Sequence, residues 1–282
     1  MAGFDIASGV AGRMRSSTGT ERIAAAFAAA PGRAALMPYL MGGFPDVDGS
    51  VAIGEACADA GADLVELGVP FSDPLADGPV IHAAGTRALQ AGVTLHGVLQ
   101  AAARIAERLP VVLMCYANPL LARGVERFAG ELAAAGVSGL IVPDLPLEEA
   151  DGMREACDAA GLALVPLIAP TTPDDRLQAI APRARGFIYA VSVTGTTGER
   201  TGVDASLAGV LARAKAHSPV PVAVGFGIST PEHAAAAAAA GADGVIVGSR
   251  LVRAASEAVD AGTDPAQAVH DLVAALAGGL RR

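Results

Sequence analysis

The chain has 282 residues, a formal net charge of −9, 52% hydrophobic residues and 17% charged ones. That balance excludes a disordered chain. An acidic surplus with no basic stripe, no Trp and only 4% aromatics argues against a nucleic-acid partner, and no stretch holds the roughly 18 strongly apolar residues of a membrane span.

Arg13 and Arg15 precede polar residues rather than an apolar core, so no secretory signal is expected. Residues 1–18 read as a disordered tail ahead of one domain at 19–282. An Ala-rich helix is predicted near 20–30, followed by eight short apolar runs at about 36–41, 63–67, 110–116, 139–143, 163–168, 186–191, 220–224 and 243–247. These runs are continuous rather than alternating, the pattern of parallel strands covered on both faces. Helical stretches lie between them, with start signals at Thr172-Pro173-Asp174 and Ser229-Thr230-Pro231-Glu232. Four of the strand entries share one motif, an Ala-rich helix end, a Gly and a branched apolar run, at 58–65, 133–142, 158–165 and 238–247. A Gly there adopts the left-handed conformation that closes a helix. Eight βα units without a linker predict a single α/β domain, a (β/α)8 TIM barrel with an extra N-terminal helix. An open doubly wound sheet is the alternative.

In a barrel the active site forms at the C-terminal ends of the strands. The second strand ends in L-V-E-L-G-V-P-F-S-D-P-L-A-D-G-P at 64–79, where Glu66 closes an apolar run and Asp73 and Asp77 follow in a Pro/Gly-stiffened loop. A carboxyl group among apolar residues is unfavourable unless it is paired or used, so Glu66, with Asp73 and Asp77 in the acidic loop beyond it, is the candidate for acid–base chemistry. Gly-rich segments follow strands six, seven and eight, at 191–202, 225–227 and 248–249. Glycines there expose consecutive N–H groups, and Ser249 opens a helix whose positive end favours an anion, so Gly227, Gly248 and Ser249 read as a phosphate site. The Thr/Gly loop at 191–202 reads as a lid.

Other chemistries are disfavoured. The five histidines show no metal spacing, and His82 reads as a helix-packing residue beside the acidic loop. No Walker A or G-x-G-x-x-G motif follows a strand. The single lysine, Lys215, lies in a helix, which disfavours Schiff-base chemistry. Cys57, Cys115 and Cys157 are scattered, as reduced thiols in a cytoplasm would be.

These motifs resemble the tryptophan synthase alpha chain family: P-Y-L-M-G-G-F-P-D at 38–46, the acidic segment at 65–79, M-C-Y-A-N-P at 114–119, V-P-D-L-P at 142–146, G-F-I-Y at 186–189, V-G-F-G-I-S at 224–229 and I-V-G-S at 246–249. The resemblance implies retro-aldol cleavage of indole-3-glycerol phosphate to indole and glyceraldehyde 3-phosphate, as a carbon–carbon lyase of tryptophan biosynthesis. It implies that Glu66 is the general acid–base and that Asp77 handles the indole N–H. Tyr39 and Tyr189 match pocket residues, Gly198, Gly227, Gly248 and Ser249 the phosphate site, and Thr197 the lid residue that meets Asp77 on closure. Met114, Ile141 and Leu140 are expected to hold the indole. The lid departs from the family pattern: T-G-T-T-G at 194–198 places Thr196 where Val is usual.

The family works without a metal or cofactor of its own, in a heterotetramer of two alpha and two beta chains. Pyridoxal phosphate is expected only in the beta chain, with contacts here around 70–76, 117–121 and Asp144. Two rivals are a phosphosugar epimerase or isomerase, which would not need Asp77, and a non-catalytic barrel, which would not need either acid.

Overall fold

The computed structural model describes residues 17–191, 206–225 and 227–281. The predicted tail up to residue 16, most of the proposed lid, Thr197, Gly198 and Phe226 lie outside the described residues. The strands are β1 (Ala35–Met41), β2 (Val65–Gly68), β3 (Val111–Met114), β4 (Gly139–Ile141), β5 (Ala163–Leu164), β6 (Leu167–Ile168), β7 (Ile188–Val191), β8 (Val222–Gly225) and β9 (Gly244–Val247). The α-helices are α1 (Gly19–Ala28), α2 (Val47–Asp59), α3 (Pro79–Gln90), α4 (Leu95–Ile105), α5 (Ala117–Arg123), α6 (Val125–Ala134), α7 (Asp151–Ala159), α8 (Asp174–Ile180), α9 (Ser206–His217), α10 (Pro231–Ala239), α11 (Ser249–Ala261) and α12 (Pro265–Leu280).

All pairings are parallel, in the order β5-β4-β3-β2-β1-β9-β8-β7-β6. The first and last members are two pieces of one predicted strand, 163–168, divided at Val165-Pro166. Val165 N–H still donates to Leu140 O at 2.9 Å, toward β4, while Pro166 O accepts from Tyr189 N–H at 3.0 Å, toward β7. Proline has no N–H to give, so the chain changes hydrogen-bond partners there. The order therefore returns to its own start, and the sheet is a closed barrel of eight strand positions rather than an open sheet.

All seven residues of β1 are buried, as the continuous apolar runs require. The four repeated glycines Gly61, Gly136, Gly161 and Gly241 have φ of +93°, +71°, +71° and +100°, each just beyond a helix end. Thr230 caps α10 by accepting from His233 N–H. At α8 the expectation needs adjusting: Pro173 occupies the N-cap and the Thr172 hydroxyl instead accepts from Ala169 N–H at 2.9 Å.

The extra N-terminal helix α1 covers the floor of the barrel. Ile23 is fully buried, and a Cβ on Gly139 or Gly186 would lie 3.1 or 3.2 Å from its Cδ1. Phe27 packs on Phe187 with ring centroids 5.8 Å apart. The Arg22 guanidinium donates to Ala106 O at 2.6 Å and Gly136 O at 2.7 Å, carbonyls at the ends of α4 and α6. The floor is thus sealed from below, and the opposite, C-terminal rim is left for chemistry. Among the described residues, no helix is long and apolar enough to cross a membrane.

Candidate active site

Three adjacent strands bring the predicted acids and one tyrosine together. Tyr39 of β1 lies opposite Glu66 of β2 in the parallel register, so both side chains point to the same face. One layer higher, Met41, Gly68, Met114 and Ile141 are paired across four strands. Gly68 is what lets Tyr39 rise past Glu66. A Cβ at Gly68 would meet the Tyr39 hydroxyl at 2.0 Å, closer than any real contact. Across the barrel Gly225 plays the same part for Tyr189, whose hydroxyl would be 2.4 Å from a Cβ there. Two strand-end glycines thus make room for two phenols.

Glu66 is 1% exposed, and neither carboxyl oxygen has a hydrogen-bond partner among the described residues. Burial, reinforced by the negative charge of Asp77, raises its pKa from 4.5 to about 8. The group is therefore protonated at neutral pH, a carboxylic acid with its proton uncommitted. Asp77 is half-buried in the loop between β2 and α3. Burial raises its carboxyl too, but a hydrogen bond from Tyr116 and the nearby His82 oppose the rise. The two acids thus differ in surroundings: Glu66 has no hydrogen-bond partner among the described residues, and Asp77 is held by a donor. Tyr39 and Tyr189 are both driven well above the usual phenol range, first by burial and then by the charges beside them. Both remain neutral hydrogen-bonding groups.

Ile141 and Leu140 are fully buried and Met114 half-buried at the ends of β4 and β3. Gly248 is the N-cap of α11, without a side-chain cap, and Ser249 is its first residue. A Cβ on Gly248 would stand 3.5 Å from Tyr39 Cβ, so the start of this helix abuts the tyrosine beside Glu66. Gly227 lies in the turn after β8, with φ of +53°.

Sequence reasoning passed over Tyr116. Its hydroxyl donates to Asp77 Oδ1 at 2.8 Å and accepts from Ala76 N–H at 3.0 Å. Its ring stacks on Phe71 with centroids 5.3 Å apart. The signal available was its place at the C-terminal end of the third strand, where the neighbouring Met114 drew attention instead. The residues expected to face a partner include exposed ones: Leu75 is 85% and Leu121 59% exposed, and Asp144 Oδ1 accepts from Ala117 N–H at 2.8 Å at the start of α5.

A family model described as tryptophan synthase alpha chain matches residues 26–279. A tryptophan synthase alpha chain from Synechococcus sp. (strain CC9902) is 52% identical over 224 residues, covering 79% of this chain and 83% of that protein. One from Synechococcus elongatus is 50% identical over 228 residues, covering 80% and 86%. Among solved structures, a tryptophan synthase of Mycobacterium tuberculosis superposes with a TM-score of 0.85 at 40% identity, covering 93% of this chain and 98% of that one. A chain from a structure titled as the tryptophan synthase a2b2 complex of Pyrococcus furiosus gives 0.81 at 39% identity, covering 87% and 98%. The family model spans the barrel strands and both acids, and this chain belongs to the tryptophan synthase alpha chain family.

Proposed function

We propose that Glu66 and Asp77 carry out the reaction of this family, and that the other rim residues hold its substrate. The chain is a carbon–carbon lyase of tryptophan biosynthesis: it cleaves indole-3-glycerol phosphate to indole and glyceraldehyde 3-phosphate as the alpha subunit of tryptophan synthase. The observation that carries the residue assignment is Glu66, a buried carboxyl held protonated at neutral pH, with no partner among the described residues.

The chemistry follows from that state. Breaking a carbon–carbon bond in a retro-aldol sense needs an electron sink. Glu66 donates its proton to C3 of the indole, which turns the ring into an indolenine, and positive charge builds at the ring nitrogen. The Asp77 carboxylate stabilises that charge. The carboxylate left at Glu66 takes the proton of the hydroxyl on the carbon attached to C3. That carbon becomes the aldehyde, the bond to C3 breaks, and its electron pair restores the indole. Glu66 ends as it began, protonated, so one residue serves as acid and then as base.

Ile141 and Met114, in register with Gly68 two residues beyond Glu66, supply an apolar wall for the indole, with Tyr39 and Tyr189 beside Glu66, whereas the expected Leu140 points to the opposite face of β4. Gly227, Gly248 and Ser249 bind the phosphate through backbone N–H groups at the uncapped start of α11. The same residues set the scale of the substrate, which reaches from β2 to α11. Thr197 and Gly198 complete the lid and phosphate site on the family pattern. Residues 19–282 form the catalytic domain, working without a cofactor of its own.

The partner is a beta chain, in a heterotetramer of two alpha and two beta chains, and pyridoxal phosphate belongs to that beta chain. Exposed Leu75, Leu121 and Asp144 support contact there. Three free, buried cysteines support a cytoplasmic setting.

The test is indole release from indole-3-glycerol phosphate by the full chain, with and without the beta chain. Asp77→Asn is expected to lower kcat far more than it raises KM, because the ring charge appears mainly in the transition state. A variant whose only defect is a raised KM would contradict this role for Asp77.

A further inference from the structure

We infer that Tyr116 is a positioning residue for the reaction, holding the Asp77 carboxylate in place from the end of a neighbouring strand. The inference rests on the assignment of Asp77 given above.

Tyr116 is 3% exposed and sits between β3 and α5 with extended backbone. Its hydroxyl makes two hydrogen bonds to consecutive residues of the acidic loop, one from Ala76 N–H and one to Asp77 Oδ1. The direction of the second follows from the first. An amide N–H can only donate, so the phenol accepts there, and its single hydrogen goes to the carboxylate. The bond to Asp77 is therefore charge-assisted and favours the ionised form, the form that stabilises a positive ring nitrogen.

The ring of the same residue stacks on Phe71, at the other end of the loop. Between these anchors Ser72, Asp73 and Leu75 are exposed. One side chain thus grips both ends of a loop whose middle lies in solvent, and the gripped end carries the catalytic carboxylate. Asp77 is also faced by Glu66 from β2, Tyr39 from β1 and His82 from α3. Tyr39 is driven above the usual phenol range, so it carries no charge near neutrality, and Glu66 stays protonated up to about pH 8.

Tyr116→Phe removes the hydroxyl and keeps the ring on Phe71. In the full chain with its beta chain, kcat for indole release should fall roughly tenfold or more, the loss expected for a hydrogen bond to a charged group. KM should stay within about twofold, because the ring charge that Asp77 meets is absent from the ground state. The acid limb of the kcat/KM profile should move to higher pH, since Asp77 loses the donor that favours its ionised form. Combined with Asp77→Asn, Tyr116→Phe should add little, because the partner it acts through is already gone. A Tyr116→Phe enzyme with kcat within about twofold of the parent and an unmoved acid limb overturns the proposal. So does a loss of the same size in both backgrounds, which is what a purely structural contribution would give. If Asp77→Asn itself keeps full kcat, the assignment of Asp77 fails, an outcome distinct from failure of Tyr116 alone.

Discussion

Replacing Glu66 by Gln should destroy activity while stabilising the fold, and the stabilisation should grow with pH. In the folded chain the carboxyl holds its proton up to about pH 8, whereas an unfolded glutamate releases it near 4.5. Below 4.5 both states are protonated and the group is neutral toward folding. As pH rises from there, the unfolded state alone gains the favourable hydration of a carboxylate, so stability falls until the folded group ionises too. At pH 7 the penalty accumulated by one such group is roughly 3 kcal/mol, at about 1.4 kcal/mol for each pH unit above 4.5. Gln has similar shape and no titration, so it removes this dependence. With about 2–4 °C of melting temperature per kcal/mol for a domain of this size, the variant should melt several degrees above the parent at pH 7–8 and nearly with it at pH 5. Indole release should meanwhile drop by about 10²–10⁴. The assay is paired thermal melts from pH 5 to 8 with kcat measured on the same samples. A difference in melting temperature that stays flat across that range would refute the raised pKa, and with it the argument that Glu66 arrives at the substrate already protonated.

Two further outcomes test the pocket. Gly68→Ala places a methyl where the Tyr39 hydroxyl stands, 2.0 Å away. Its backbone tolerates a side chain, so the fold should survive at a cost of about 1–3 kcal/mol, while displaced Tyr39 lowers kcat/KM at least tenfold. A variant with unchanged kinetics would show that Tyr39 has no place in the pocket. Dephosphorylated indole glycerol should bind far more weakly than the phosphate ester, because charge-assisted hydrogen bonds are worth about 1.5–3 kcal/mol each. Equal affinities, read by competition in the indole-release assay, would remove Gly248 and Ser249 from substrate binding.

Much of this was legible in the residues because it is written locally. Apolar runs bounded by helix-closing glycines gave strand positions within a residue or two at most ends, and the sign of φ at Gly61, Gly136, Gly161 and Gly241 follows from their place in a repeated motif. Glu66 stood out because a carboxyl in an apolar run violates a simple rule. What sequence could not give depends on neighbours distant along the chain. Tyr116 acts on residues 76 and 77, and no local pattern separates a phenol with such a partner from a core aromatic. Gly68 reads as a loop glycine until Tyr39 is seen to occupy its missing side chain. Ile23 looks like any apolar helix residue, and only the glycines of β4 and of the turn before β7 reveal it as the floor. The break at Pro166 was marked by the proline itself, inside a run otherwise continuous with its neighbours.

That break has a bearing on where the molecule can yield. Numbering the positions around the ring, the divided strand is the fifth of eight and β1 the first, so the two lie diametrically opposed. The wall's joint is therefore as far as the ring permits from Tyr39 and three of the eight positions from its neighbour Glu66. Two short segments of two residues each, flanking a proline that forfeits one donor, form the least securely stitched arc of the circumference. Breathing of the cylinder should be absorbed there first, as faster amide exchange at Ala163–Ile168 than along β1 and β2. The strands that aim the acid would stay in register while the far side flexes.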